Sequence, residues 1–345
     1  MKKRNHEVTA VQPLLKEDGS LREPGWSRQL YQVYDRRQIK APTFRIKEWD
    51  YYLVLNPQFA AAFTISDDGY IGLQSVSLLD FGTAPWEHTE TLLGAFPMGK
   101  LRLPSTSREG CTTYRDKRLK MQFRADPQSH ERRILCEFRN FHQGQTLTCD
   151  IRLAQPPMDT MVIATPWANK KTAFYYNQKI NCMRAEGTLT WGEHRYTFSP
   201  EDSFATLDWG RGVWTYDNRW YWGSGNGLVD GRLFGFNIGY GFGDTSAASE
   251  NILFYDGVGH KLDDVTFHIP GDSYTKPWTF SSSDGRFEMD FVPVLDRAAR
   301  TNALFIETDQ HQVFGRMSGK AVLDDGTVLE IKDLMCFAED VHNRY

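Results

Sequence analysis

The residues best suited to chemistry lie between Phe204 and Phe242. Eleven of these 39 positions are aromatic, and four of the ten tryptophans of the chain fall between Trp209 and Trp222. The run reads LDWGRGVWTYDNRWYWGSGNG. Side chains alternate along an extended strand, so Asp208, Trp214 and Tyr216 share one face, and Trp220 and Trp222 share a face of the next strand. A carboxylate beside indole rings is disfavoured in its charged form, and the same ring faces hold a cation that forms next to them. Acid chemistry is therefore physically possible there.

Downstream, Phe234, Phe236, Ile238 and Tyr240 alternate with Leu233, Gly235, Asn237, Gly239 and Gly241, leaving one face nearly bare and something large to fill it. Glu250 alternates with Ile252 and Phe254, which puts a second carboxylate on an apolar face, where an acid needs a partner. Arg211, three residues beyond Asp208, is the expected partner for either acid. The candidate catalytic set is therefore Asp208, Glu250 and Arg211. Trp209, Trp214, Tyr216, Trp220, Trp222, Asn237 and Asn251 are the candidate substrate contacts. The competing reading of the same residues is a tryptophan-rich core fixed by a buried Asp–Arg pair.

The elements that must carry these residues are strands. Asp-Gly occurs six times, at Asp18, Asp68, Asp230, Asp256, Asp284 and Asp325, mostly between alternating apolar runs where a tight hairpin needs positive φ. Leu119, Met121 and Phe123 alternate with Lys120, Gln122 and Arg124, and Phe287, Met289 and Phe291 alternate with Glu288 and Asp290. Helix is expected only in short pieces, at Asp296 to Ala303 and around Phe337 to Val341. The predicted class is all-β: antiparallel meanders that close up into barrels and so hide their edges. An N-terminal extension over 1–39, a larger barrel over 40–258 and a smaller one over 259–345 are the expected divisions.

The length of 345 residues (39.8 kDa) suits two packed units, and 40% hydrophobic, 24% charged and 14% aromatic residues describe a soluble globular chain. Forty-four acidic against 40 basic side chains give −4, which offers no field for nucleic acid or an anionic membrane. Residues 100–139 hold eleven Lys and Arg against five acids; alternation at Leu119 to Arg124 makes this the solvated side of a strand rather than a phosphate-binding patch. No apolar segment follows Met1-Lys2-Lys3-Arg4, and no run approaches a membrane span, so a cytoplasmic protein is expected. Cys111, Cys136, Cys149, Cys182 and Cys336 are scattered and form no C-x-x-C pair, which points to structural thiols. Metal-binding histidine spacings, a G-x-S-x-G elbow and a phosphate-binding glycine loop leading into a helix are all missing, so neither metal nor organic cofactor is expected.

Several stretches resemble a bacterial family known only as a domain of unknown function: Glu23-Pro24-Gly25-Trp26-Ser27, LDWGRGVWTY at 207–216, Glu250-Asn251 followed by Phe254, and GRMSGKAVLDDGTVLEIKDLMCFAED at 315–340. More distantly, the chain is similar to the carotenoid hydratase, tocopherol cyclase and AttH-like group, whose members have two lipocalin-like barrels. Lys47-Glu48-Trp49-Asp50-Tyr51-Tyr52 resembles the early E-W-W-Y strand of that group. Phe174-Tyr175-Tyr176, then Gly187 and Gly192, lead to Asp208 as the Y-Y, G and G of the group lead to its D-H-x-W-G. Trp209 stands where the group has His, and Arg211 where it has Trp, so proton transfer through that His does not carry over.

These readings give a barrel enclosing an apolar or aromatic small molecule. In the catalytic version, Asp208 or Glu250 protonates an alkene, Trp214, Trp220 and Trp222 stabilise the cation, and Arg211 orients acid or substrate, giving hydration or cyclisation without a cofactor. Alternatives are a non-catalytic carrier, and a carbohydrate-active enzyme using Asp208 and Glu250. Sequence assigns no oligomeric state.

Overall fold

A computed structural model describes residues 5–303 and 306–344. Two curled antiparallel sheets, each a half-barrel, make up nearly all of it. In the first, hydrogen-bonded order runs Trp86–Ala95, Ile71–Asp80, Phe59–Asp67, Ile46–Leu55, Phe204–Val213, Lys170–Trp191, Gln145–Ala154, Glu131–His142, Leu119–Asp126, Gly110–Arg115. The second runs Val258–Lys261, Ile252–Tyr255, Arg232–Tyr240, Asp217–Val229, Val328–Arg344, Ile306–Val322, Phe287–Ala303, Trp278–Ser282, Val265–His268.

The Asp-Gly turns make this meander. Asp230-Gly231 and Asp256-Gly257 are two-residue hairpin loops with φ of 52° and 73°, and 51° and 83°. Two consecutive positive φ values match the right-handed twist of the flanking strands, and Asp-Gly adopts them at little cost. As the alternation predicts, Leu119, Met121 and Phe123 are buried inside the first half-barrel and Phe287, Met289 and Phe291 inside the second.

Both expected helices are strands. Asp296 to Ala303 ends a 17-residue strand, Phe287–Ala303, paired along its length with Ile306–Val322; Phe337 to Val341 lies within Val328–Arg344. The alanines and arginines of the first piece favour helix locally, but it continues the pairing of its strand with Ile306–Val322, and that tertiary context overrides the weak preference. The chain leaves the first sheet at Val213 and enters the second at Asp217. Sheet membership thus changes at 213/217, and the strands from Asp217 to Tyr255, grouped with the larger barrel from sequence, hydrogen-bond in the second sheet.

From Asn5 to Ile39 the chain lies across both sheets. Gly25–Ser27 pairs with Met161–Trp167, and the Asn5 amide donates to Asp263 (2.9 Å) while accepting from the Ser249 backbone (3.0 Å). Among the described residues no helix is long and apolar enough to cross a membrane. The basic 100–139 stretch is laced with ion pairs, Arg118 to Glu90, Lys120 and Arg139 to Glu137 and Arg133 to Asp150, which is how an outward strand face carries its charge.

Candidate functional site

The two half-barrels pack back to back along a seam, and the strand register lays the side chains out in rows. On the first sheet, Tyr51, Asp208 and Lys179 are directly opposite one another on three adjacent strands; Trp49, Gly210 and Asn177 form the next row, and Lys47, Gly212 and Tyr175 the one after. On the second sheet Gly239, Trp222, Glu339, Gln312 and Arg297 form one continuous row. Period-two alternation sends each of these rows into the seam.

Lys179 joins the sheets. Its ammonium lies 2.9 Å from Asp208 Oδ2 and 3.7 Å from the centre of the Trp222 ring. Asn177 Nδ2 donates to the other Asp208 oxygen at 2.5 Å. Trp222 Nε1 donates to Asn237 Oδ1 (2.7 Å), and Asn237 Nδ2 donates to the Glu250 carbonyl (2.9 Å) and carboxylate (3.4 Å). Glu339 accepts from Trp220 Nε1 (3.0 Å) and Gln312 Nε2 (2.9 Å), and the Tyr51 hydroxyl lies 3.5 Å from the Gln312 amide.

Three carboxylates, Asp208, Glu250 and Glu339, are thus buried around one buried ammonium, with half-buried Arg297 at the edge. Burial pushes the Glu339 carboxyl up to about 7, although the Trp220 bond, Lys179 and Arg297 pull it back. Burial likewise raises Glu250; Lys179 opposes the shift and Asp208 adds to it. The Tyr175 phenol is pushed well above its ordinary value by burial and by the charges of Glu250, Asp208 and Glu339. The site therefore holds protonatable carboxyl groups in an aromatic, low-dielectric setting, which is what general acid catalysis near neutral pH requires.

Aromatic rings wall one end. Trp214 contacts Trp49 edge-on at 5.1 Å and Phe242 at 4.7 Å, and Trp220 packs on both Trp214 and Phe242. Two glycines permit this closeness. A Cβ on Gly210 would lie 1.9 Å from the Trp49 ring, and one on Gly239 would lie 2.8 Å from a Glu250 carboxylate oxygen. The nearly bare face of the Arg232–Tyr240 strand is accordingly filled from within the protein: Glu250 covers Gly239, and Cys182 covers Gly235.

Asp208, Glu250, Trp214, Trp220, Trp222 and Asn237 all come together in the seam. Asn251 lies beside them as a brace, accepting from the Gly239 backbone (2.7 Å) and donating to the Asp263 carbonyl (2.8 Å). Tyr216 is 41% exposed on the connection between the sheets. Arg211 corrects the expected pairing: three residues from Asp208, it has the opposite parity and points into the first half-barrel. There it binds Asp50 (3.0 Å) and the carbonyls of Trp49, Gly210 and Pro104 (each 2.8 Å), with its guanidinium 4.2 Å from the Trp209 ring. Trp209 shares that interior, packed edge-on against Tyr34 and Tyr176.

Sequence reasoning missed Lys179, Asn177, Tyr175, Tyr51, Gln312 and Glu339. A signal existed for four of them. Tyr175, Asn177 and Lys179 alternate with Phe174, Tyr176 and Gln178, and Glu339 shares the parity of Met335 and Phe337, which a helical reading of that stretch conceals.

A pair of lipocalin-like half-barrels joined by a buried acidic seam defines the class. The chain belongs to the family described as "Domain of unknown function (DUF2804)", which matches residues 5–345. No curated protein matches it. Among solved structures it is similar to CghA (TM-score 0.57, 10% identity, 98% of this chain and 97% of that one), a second structure of which holds Sch210972. It is also similar to kievitone hydratase from Nectria haematococca (0.51, 11%, 97% and 98%) and to a putative AttH from Nitrosomonas europaea (0.50, 13%, 90% and 97%). At these identities the likeness establishes the fold.

Proposed function

We propose that the seam is the active site of a cofactor-independent hydratase or cyclase acting on an apolar or aromatic small molecule. One observation carries this reading: three buried carboxylates gather near the Lys179 ammonium among aromatic rings, where burial pushes the Glu339 carboxyl up to about 7. Glu339 or Glu250 donates a proton to an alkene carbon. Asp208, whose two oxygens are taken by Lys179 and Asn177, is the fixed counter-charge that holds the ammonium in place. The indole of Trp220 holds the developing cation, and water or a substrate hydroxyl captures it and returns its extra proton to the carboxylate that gave one up. Kievitone hydratase and the ligand-bound CghA structure support a small-molecule role for this fold by analogy only.

The test is turnover of terpenoid, polyketide and prenylated aromatic alkenes by wild type, Glu339→Gln, Glu250→Gln and Asp208→Asn. Wild type converts at least one class, and the glutamate carrying the proton transfer loses about 10²- to 10⁴-fold when replaced by Gln. Absence of turnover in wild type, or unchanged turnover in all three variants, overturns the mechanism.

A carrier is the second reading, favoured by one feature. Trp222 already bears Lys179 on its face, and Trp214 has Lys47 5.3 Å away, so these indoles are engaged by the protein's own cations. Gentle native mass spectrometry separates the readings, since a carrier retains an unmodified ligand through purification.

A further inference from the structure

A cavity of about 160 Å³ lies beside the seam, with none of the three carboxylates in its lining. Its inner wall is Asn181 and Cys182, its opposite wall Leu233 and Phe254, and its roof the Pro156–Asp159 segment. The cavity is built by a β-bulge. The Lys170–Trp191 strand slips register against Phe204–Val213 between Ile180 and Met183, with Cys182 at a φ of 62°. An extra residue turns two successive side chains the same way. Asn181 and Cys182 accordingly both face the second sheet, Asn181 bonding to Ser224 and Cys182 lying on Gly235.

The roof is pinned rather than draped. Asp159 N donates to the Gly257 carbonyl (2.9 Å), the Asp159 carboxylate accepts from Gly259 N (2.9 Å), and Arg28 ties that carboxylate (2.6 Å) to the Gly259 carbonyl (2.7 Å). The lining is mostly apolar, with one unsatisfied group. Asn181 Nδ2 donates to Ser224 Oγ (2.8 Å), Asn226 Oδ1 (3.0 Å) and the Phe236 carbonyl (3.0 Å). A carbonyl can only accept, so the amide orientation is fixed, and Asn181 Oδ1 is left without a donor although the residue is 2% exposed. A buried acceptor without a partner costs about 1–3 kcal/mol, which a guest carrying a donor recovers.

We propose that this cavity binds a six-membered ring bearing a hydroxyl or N–H donor. An apolar cavity of about 150 Å³ is known to hold benzene, so the volume fits one ring. Asn181 lies two residues along the strand from Lys179, and Cys182 touches Gly235 two residues from Asn237, so the ring lies next to the acid cluster. Resting on the hydratase or cyclase reading, the cavity is the anchoring subsite that presents the rest of a ring-bearing substrate to Glu250 and Glu339.

The experiment uses phenol and toluene as probes on the full chain, followed by calorimetric titration and by soaked crystals. Phenol binds saturably, one per chain, at least fivefold more tightly than toluene. Leu233→Trp and, independently, Met158→Trp fill the space and weaken phenol at least tenfold while melting cooperatively; Glu339→Gln and Glu250→Gln bind it within twofold of wild type. No saturable phenol binding, equal affinity for toluene, or binding indifferent to both tryptophan variants overturns the proposal. Phenol binding by a protein that turns over no alkene overturns the catalytic reading and leaves this one standing.

Discussion

Asp208 and Arg211 sit on one strand, three residues apart, and belong to two different charged clusters. Inside the first half-barrel, Arg211 is matched by one carboxylate, Asp50, and by three carbonyls, and its guanidinium stacks on Trp209. In the seam, three buried carboxylates share the Lys179 ammonium, with Arg297 and Lys261 acting from farther off, two glutamates are pushed upward by burial, and aromatic rings crowd the remaining space. The first cluster has the balance of a group that fixes a fold. The second carries an electrostatic debt that a fold alone does not require, and strained protonation states of this kind gather where chemistry is done.

Breaking the barrel cluster gives the largest stability effect. Asp50→Ala leaves the Arg211 charge buried without its carboxylate and lowers unfolding free energy by about 3–5 kcal/mol in denaturant titrations. A loss below about 1 kcal/mol would mean that the carbonyls alone satisfy Arg211 and that the two clusters differ less than their geometry says.

A pH titration of stability sharpens the contrast from the other side. Glu339 has an ordinary value of 4.5 and about 7 in the folded chain. Between those values the folded state holds a proton that the unfolded chain has released. Stability from this group is therefore full below about pH 4.5 and declines as pH rises to about 7, by about 3 kcal/mol. Glu339→Gln flattens that slope, whereas Asp50→Ala leaves it in place. A slope surviving Glu339→Gln would move the protonated site to Glu250.

Trp222→Phe removes the bond to Asn237 and weakens the seat of Lys179, costing about 2 kcal/mol. In the catalytic reading it also shifts the alkaline limb of turnover, because Lys179 is among the charges that restrain Glu339 and Glu250. Tyr216→Ala, on the exposed connection, changes stability by less than about 0.5 kcal/mol and leaves turnover unaltered.

Much of the seam was legible from spacing. The shared parity of Trp220 and Trp222, the bare glycine face and the placement of Glu250 beside Ile252 and Phe254 all follow from period-two alternation, and all are found in the fold. Spacing failed where it was asked for partners. Arg211 was paired with Asp208 by proximity in sequence, but an offset of three reverses the face of a strand, and the true partner Lys179 is supplied by a neighbouring strand 29 residues earlier. Glu339 was hidden because Phe337 to Val341 read as a turn of helix.

What the sequence determined by itself is local: which residues extend, where Asp-Gly pairs reverse the chain, and which side chains share a face, since dihedral preferences and alternation act over a few residues. What only the tertiary structure decided is which faces meet. The row Tyr51–Asp208–Lys179 opposes the row Trp222–Glu339–Gln312 because two curled sheets pack back to back, and that packing depends on contacts between residues more than a hundred positions apart. Charge balance, burial and the protonation of Glu339 all follow from that encounter.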